Sequence, residues 1–292
     1  MNWQNNYHVN CYYDVLCKNI IFLANMKLQL LYLYIIFNSI CYSQNNISFN
    51  SHSHNDYANP KPLFTALSSG SKSIEADIIY LNDKLFVAHN VEDTNQNNTL
   101  EKMYLAPLKD IIENTNSEYH FNYELFLFID IKLDAENTYK KLRSCLNKYK
   151  NYLTSINDGQ LKIKNIRVII SGNRPIETVR NEMNRFIFLD GRFEDVGKGE
   201  SENLFPIISE DWLAVSDKLS KYLGKESDIH DLKEFINKVH EENKLVRFWG
   251  TPDNDKFWDF SNNMKIDFVN TDMPDDYKKY YLIKFPKADI IK

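Results

Sequence analysis

Glu75 and Asp77 stand two residues apart in the apolar run 73–80 (SIEADIIY). Residues so spaced on a β-strand project to one face, so a strand here would aim both carboxylates the same way. Like charges held that close need a cation. Asp130, in the run 125–131 (LFLFIDI), supplies a third carboxylate. Three hard oxygen donors suit one divalent cation, Mg2+ or Ca2+, with water or substrate oxygens completing the shell. Zinc would want more nitrogen or sulfur. The purely structural use of the same acids would be ion pairing with Lys132 or Arg247 in a barrel core.

Histidines accompany the acids. His52 ends the run 46–52 and His54 follows two residues on, and His89 ends a short strand-like segment, Lys84–His89. Two imidazoles on either side of a metal-bound phosphate are what cleavage of a diester requires. One takes the proton of the attacking hydroxyl and the other protonates the leaving oxygen, which an unperturbed ring with a pKa near ~6.5 does at neutral pH. A metal would neutralise the phosphate charge. Lys132, Arg174 and Arg247 are candidates for its non-bridging oxygens, arginine in bidentate fashion. His120, His230 and His240 stand apart from the cluster, the last two on an expected helix over 228–243.

The elements that must position these groups repeat. Runs rich in β-branched and aromatic residues occur at 46–52, 73–80, 125–131, 166–171, 186–190, 205–209, 245–249 and 266–271, with helical patterns at 61–69, 106–114, 135–150, 175–184, 228–243 and 275–283. Such alternation predicts parallel β/α units. Eight units typically take about 250 residues, and the expected architecture is a single (β/α)8 barrel of the α/β class. The candidate residues fall at the ends of the runs, where strands of such a barrel converge on the catalytic face. Residues 81–105 break the pattern, so a β-excursion is expected to replace or precede the second helix.

The formal charge of −5, with no cluster of Lys or Arg, lacks the footprint of a nucleic-acid binder. Cys11, Cys17 and Cys41 lie in or before an apolar N-terminal stretch, leaving Cys145 alone in the body and no disulfide or cysteine metal framework. Met26-Lys27, an apolar stretch to Ile40 and then Cys41-Tyr42-Ser43 read as charge, apolar core and cleavage site of an export signal. The expected organisation is an over-extended start at 1–25, a signal at 26–43 and a barrel domain at 44–292. On that reading the protein is exported to the periplasm, the cell surface or the medium, and acts as a monomer.

The segments His52-Ser53-His54-Asn55-Asp56-Tyr57, Pro62-Leu63-Phe64, Glu75-Ala76-Asp77 and Val87-Ala88-His89 resemble the glycerophosphodiester phosphodiesterase superfamily, and more narrowly its secreted branch like phosphatidylinositol-specific phospholipase C. Asp130-Ile131-Lys132, Gly172-Asn173-Arg174, Asp190-Gly191-Arg192, Arg247-Phe248-Trp249 and Asn270-Thr271-Asp272 extend the similarity across roughly residues 48–275. The resemblance implies a barrel of the phospholipase C-like phosphodiesterase type. It assigns catalysis to His54 and His89, the metal to Glu75, Asp77 and Asp130, and phosphate contact to Lys132. His52 competes with His54 for the first catalytic position. Asn55, Arg174, Arg247 and Trp249 complete the substrate-binding candidates, with His52 among them. Implied substrates are small phosphodiesters or lipid headgroups, compatible with peripheral membrane contact. Asn55-Asp56 replaces the Arg-Gly of the metabolic enzymes and Asn90 follows His89 in place of Asp. The lost arginine argues against simple glycerophosphodiesters as the physiological substrate.

Two other readings use the same residues. A His-x-His at the end of a first barrel strand also opens amidohydrolase and polymerase-histidinol-phosphatase metal sites, with Asp272 as the late aspartate, although this would leave Glu75 and Asp77 without a role. A lipid- or sugar-binding barrel without turnover would need the metal and aromatic platforms but not both histidines.

Overall fold

The structure, a computed structural model, describes residues 26–32, 48–222 and 227–286. The chain divides into two units, Met1–Asn46 and Ile47–Lys292. Within the first, residues 26–32 are helical; the remainder of the stretch expected to be a signal, 33–43, lies outside the described residues, as does 1–25. No helix among the described residues is long and apolar enough to cross a membrane.

The second unit contains strands β1 (Phe49–Ser53), β2 (Ser71–Leu81), β3 (Lys84–Val87), β4 (Leu125–Ile131), β5 (Ser155–Asn157), β6 (Gln160–Lys162), β7 (Ile166–Gly172), β8 (Ile187–Gly191), β9 (Ile207–Asp211), β10 (Leu245–Trp249) and β11 (Val269–Thr271). Eight of them pair in parallel in the order β10-β9-β8-β7-β4-β2-β1-β11. A parallel bridge between Arg247 and Phe268 joins the two ends, so the barrel is nearly closed. Helices α1 (Phe64–Ser69), α2 (Ala106–Glu113), α3 (Ala135–Leu146), α4 (Ile176–Arg180), α5 (Trp212–Tyr222), α6 (Ser227–Glu241), α7 (Asp255–Asn263) and α8 (Pro274–Lys284) fall between or after the strands.

Each of the eight expected runs is a barrel strand to within a few residues. The excursion precedes the second helix: β3 turns back antiparallel on β2, and Glu101–Leu105, wound as a π-helix, leads into α2. The hairpin β5–β6 and the helices α5 and α7 were not expected, and the helix foreseen over 175–184 is only Ile176–Arg180. Asn254 caps helix α7 from the position before it, its side chain accepting the Phe257 N–H at 3.0 Å.

Strand alternation sorts the apolar residues into two layers. Phe126, Phe128, Ile169, Phe188, Ile207, Leu245 and Phe268 pack together inside the barrel. Their sequence neighbours Leu127, Ile129, Val168, Ile170 and Leu189 face outward and pack with helix residues such as Leu142, Val179 and Ile236. Strands buried on both faces read as almost continuous apolar runs. A polar side chain within one must therefore be paired or bind something.

Candidate active site

Above the apolar plug lies a buried polar layer. Strand register sets Glu75 beside Phe128, His52 beside Asn270, and Arg247 beside Ser209. Arg247 Nη1 donates to Glu75 Oε2 at 2.8 Å and to Asn270 Oδ1 at 3.3 Å. His52 is fully enclosed, with Nδ1 2.7 Å from Ser73 Oγ and Nε2 2.7 Å from Glu75 Oε2. Burial and the adjacent Arg247 push its pKa down to about 3, so the ring is neutral. Nε2 also lies 2.5 Å from Arg247 Nη1, so both ring nitrogens are occupied. Burial alone would raise the Glu75 pKa, but the His52 hydrogen bond and the Arg247 charge outweigh it and hold this group well below its ordinary value.

The next level up is the mouth. Asp77 lies beside Asp130 in the β2–β4 register, and one ligand oxygen from each of Glu75, Asp77 and Asp130 can be chosen so that all lie within 4.8 Å of one another. Glu75 joins the two levels, since Oε2 is tied down below while Oε1 lies 4.0 Å from His54 Nε2. Asp77 Oδ2 receives Tyr57 Oη at 2.8 Å, His89 Nδ1 at 2.7 Å and Lys132 Nζ at 2.8 Å. Asp77 Oδ1 is buried with no partner. An orphaned carboxylate oxygen inside a protein calls for a ligand. Burial raises the Asp130 pKa; Lys132 opposes the shift, and Glu75 and Asp77 add to it. The group of acids is thus short of positive charge, and its donor set fits a hard divalent cation.

Backbone geometry is shaped around this cluster. Gly172 ends β7 at φ +66°, and a Cβ there would lie 2.3 Å from Asp130 Oδ1 and 2.7 Å from the Ile131 carbonyl. Only glycine leaves the Asp130 carboxylate its place. Asn55 adopts φ 46°, a left-handed conformation that asparagine tolerates, and turns the chain directly after His54. The following Asp56 is buried and anchors the turn by accepting the Leu63 N–H at 2.5 Å, Tyr104 Oη at 2.9 Å and Ser53 Oγ at 3.0 Å.

His54 and His89 flank the acids, with side chains 25% and 59% exposed. Each has Nδ1 fixed by a carboxylate, His54 by Asp272 at 2.7 Å and His89 by Asp77 at 2.7 Å. Nε2 of each is thereby left for other chemistry. Burial would lower the His54 pKa, but the Asp272 hydrogen bond and the Glu75 charge outweigh it and raise the pKa. The ambiguity between the two histidines of the pair resolves on geometry: His54 is at the mouth, whereas both ring nitrogens of His52 are committed one level below. His52 is therefore not placed to ligate a metal or to touch a substrate, which removes the support for an amidohydrolase-like site.

The remaining candidates divide. Lys132 Nζ bridges Asp77 and Asp130, at 2.8 and 3.3 Å. Asn55 Oδ1 accepts Tyr57 Oη at 3.0 Å, and its Nδ2 lies 3.0 Å from His54 Nδ1, so the side chain braces the histidine loop. Arg247 is a partner of Glu75 inside the barrel and does not face the mouth. Arg174 donates to the carbonyl of Asp190, and the guanidinium of Arg192 lies over the Trp249 ring at 4.6 Å. The sequence reasoning had no role for Tyr57 and gave Asp272 only to the amidohydrolase alternative. Their proximity to chemistry-bearing partners was the available signal: Tyr57 is three residues from His54, and Asp272 ends the last strand.

Comparison with known proteins agrees with the geometry. An Altered inheritance of mitochondria protein 6 homolog from Arthroderma benhamiae is 29% identical over 227 residues, covering 69% of this chain and 72% of that protein. Altered inheritance of mitochondria protein 6 from Eremothecium gossypii is 29% identical over 267 residues, covering 78% and 68%. These names correct the expectation of an exported protein, since they refer to mitochondrial inheritance and not to secretion. A charged residue before an apolar stretch records hydropathy, not destination, and several kinds of address share it. Among solved structures, a glycerophosphodiester phosphodiesterase from Parabacteroides distasonis superposes with a TM-score of 0.53 at 14% identity, covering 82% of this chain and 98% of that one, which bears out the phosphodiesterase barrel as the fold. The AIM6-like phosphodiesterase domain matches residues 41–190, just over half of the sequence, and the chain belongs to that family.

Proposed function

We propose that the protein is a metal-dependent phosphodiesterase that cleaves a phosphodiester small molecule or lipid headgroup by two-histidine acid-base catalysis. The observation that carries this reading is that His54 and His89 stand on either side of Glu75, Asp77 and Asp130, each with one ring nitrogen fixed by a carboxylate. Glu75, Asp77 and Asp130 would hold one divalent cation, Mg2+ or Ca2+, which when bound supplies charge neutralisation for the phosphate. Lys132, released from the carboxylates, would hold a non-bridging oxygen. One histidine takes the proton of the attacking water or substrate hydroxyl as the new P–O bond forms. The other protonates the leaving alcohol oxygen as its bond to phosphorus breaks. Asp272 keeps the His54 ring in the tautomer whose Nε2 faces the mouth, and the buried His52–Glu75–Arg247 layer fixes the Glu75 carboxylate beneath it.

The test is hydrolysis by the full-length protein of bis(p-nitrophenyl) phosphate, glycerophosphodiesters and lysophospholipids, with and without chelator. The expected result is cleavage of at least one diester that stops in chelator and returns with Mg2+ or Ca2+. Cleavage indifferent to chelator, or none across the panel, would sink the reading. Phosphorus NMR of the first product separates an external water, which gives a monoester, from a substrate hydroxyl, which gives a cyclic phosphate.

A further inference from the structure

On the β7–β8 side of the mouth two guanidinium groups converge. Arg174 and Arg192 each donate through Nη1 to one backbone oxygen, the carbonyl of Asp190. Arg192 Nη1 also reaches Asp190 Oδ2 at 2.8 Å and the Gly191 carbonyl at 3.0 Å. That carboxylate is already shared: its Oδ1 takes Ser209 Oγ at 2.5 Å, and Arg247 Nη2 stands 3.9 Å from its Oδ2. Arg174 is half-buried, and among the described residues the Asp190 carbonyl is its sole polar partner. Of its five N–H donors one is used. Other acids nearby do not complete it: Asp195 Oδ2 accepts the backbone N–H of Arg192, and Glu194 is exposed. A partly desolvated guanidinium beside a second one, with most donors unused, is a site waiting for an anion.

We propose that Arg174 and Arg192, the latter with its guanidinium 4.6 Å over the Trp249 ring, form a subsite for a second anionic group of the phosphoryl class, carried on the alcohol part of the phosphodiester. The proposal rests on the phosphodiesterase reading above and narrows its substrate class. The two guanidiniums offer planar forks to tetrahedral oxygens, a geometry that lysine does not reproduce. Beside β7 in the barrel, β4 carries Asp130 and is followed by Lys132, so the arginines stand on the strand end next to the acids.

Two measurements test it. In the first, the full-length protein is titrated calorimetrically with inorganic phosphate in the presence of chelator. Saturable binding is expected, weakened on the order of tenfold or more in Arg174→Gln and less in Arg192→Lys, which keeps the charge but loses the fork. Thermal melts confirm that both variants are folded; Arg174→Gln gives up only one backbone contact. No binding by the unmodified protein, or equal binding by folded Arg174→Gln, overturns the subsite. In the second, KM is compared for a glycerophosphodiester and for the same diester bearing a phosphomonoester on its alcohol. A lower KM for the phosphorylated diester, with the preference collapsing in Arg174→Gln, supports a substrate-borne group. Arginine-dependent phosphate binding without that preference means that free phosphate is the ligand and overturns the substrate assignment. A protein that binds phosphate through Arg174 yet cleaves neither diester would overturn the catalytic reading and keep the subsite.

Discussion

The two halves of the barrel mouth are made from equivalent strand-end positions and are equipped differently: one gathers three acids between two histidines, the other sets two arginines among Asp190, Glu194 and Asp195. From β11 through β1 and β2 to β4, the ends bring Asp272, His54, Glu75, Asp77 and Asp130 together, with Lys132 bridging two of the acids. From β7 through β8 to β10 they bring Arg174, Arg192 and Trp249, with Asp190 beneath. In each half one group is shifted by its surroundings. Crowded acids and burial raise the Asp130 pKa, while burial and the neighbouring Arg192 lower that of Arg174, against the pull of Asp190. A cation on one side and an anion on the other would relieve both. The acid half differs in being anchored from below, because Glu75 reaches into the buried layer of His52 and Arg247.

The largest effect expected within this contrast is on turnover. Replacing either His54 or His89 by alanine should lower kcat by about 10²–10⁴-fold, the usual contribution of a positioned acid or base. The same substitutions should leave phosphate binding at the arginines unaltered. Unchanged turnover in both folded variants would take the histidines out of the mechanism.

Next comes the anchor. Arg247→Met removes the cation paired with Glu75 and leaves that carboxylate buried without its partner. Breaking a buried pair from one side typically costs about 3–5 kcal/mol, which urea unfolding would read as a lowered midpoint at constant slope. If Arg247 instead held a substrate phosphate, as its place in the sequence suggested, the substitution would raise KM and spare stability.

That case shows what could and could not be read from the chain. Strands β1, β2 and β4 are legible because residues two apart share a face, which puts Glu75 with Asp77 and His52 with His54. The same periodicity cannot tell the mouth from the layer below it. Successive inward residues on a strand differ by roughly 6.6 Å along its axis, two steps of about 3.3 Å, and nothing local says where the barrel opens to solvent. His52 and Arg247 were therefore placed one level too high. Asp272 meets His54 only because β11 closes on β1, a pairing between residues 218 apart in sequence. The convergence of Arg174 on Asp190 depends on the β7–β8 register in the same way. Where backbone chemistry is local, as in the left-handed Asn55, the sequence carries the instruction but not its purpose.

A smaller effect separates the acids as ligands from the acids as mere neighbours. Gly172→Ala places a methyl group 2.3 Å from Asp130 Oδ1 and forces the carboxylate aside. Affinity for Mg2+ or Ca2+, measured by calorimetry, should fall about 10–100-fold, the range seen when groups that orient a ligand are disturbed. The left-handed backbone adds a stability cost on the order of 1 kcal/mol. Unaltered affinity in the folded variant would mean that Asp130 is no ligand.

The smallest effect concerns Tyr57, one of the three donors gathered on Asp77 Oδ2. Its hydroxyl has a single hydrogen, while both Asp77 Oδ2 and Asn55 Oδ1 lie within reach, at 2.8 and 3.0 Å. In Tyr57→Phe the carboxylate keeps His89 and Lys132, so the loss is one hydrogen bond among three, worth about 1 kcal/mol or roughly fivefold in metal affinity. Burial, reinforced by the charge of Asp77, raises the phenol above its ordinary value of 10.0, so it stays protonated throughout the range in which a histidine pair works. Tyr57→Phe should therefore lower metal affinity while leaving the shape of the pH–rate profile intact. A displaced alkaline limb would show instead that the phenol itself gives up a proton during turnover, and the acid half of the mouth would then need three proton-carrying groups rather than two.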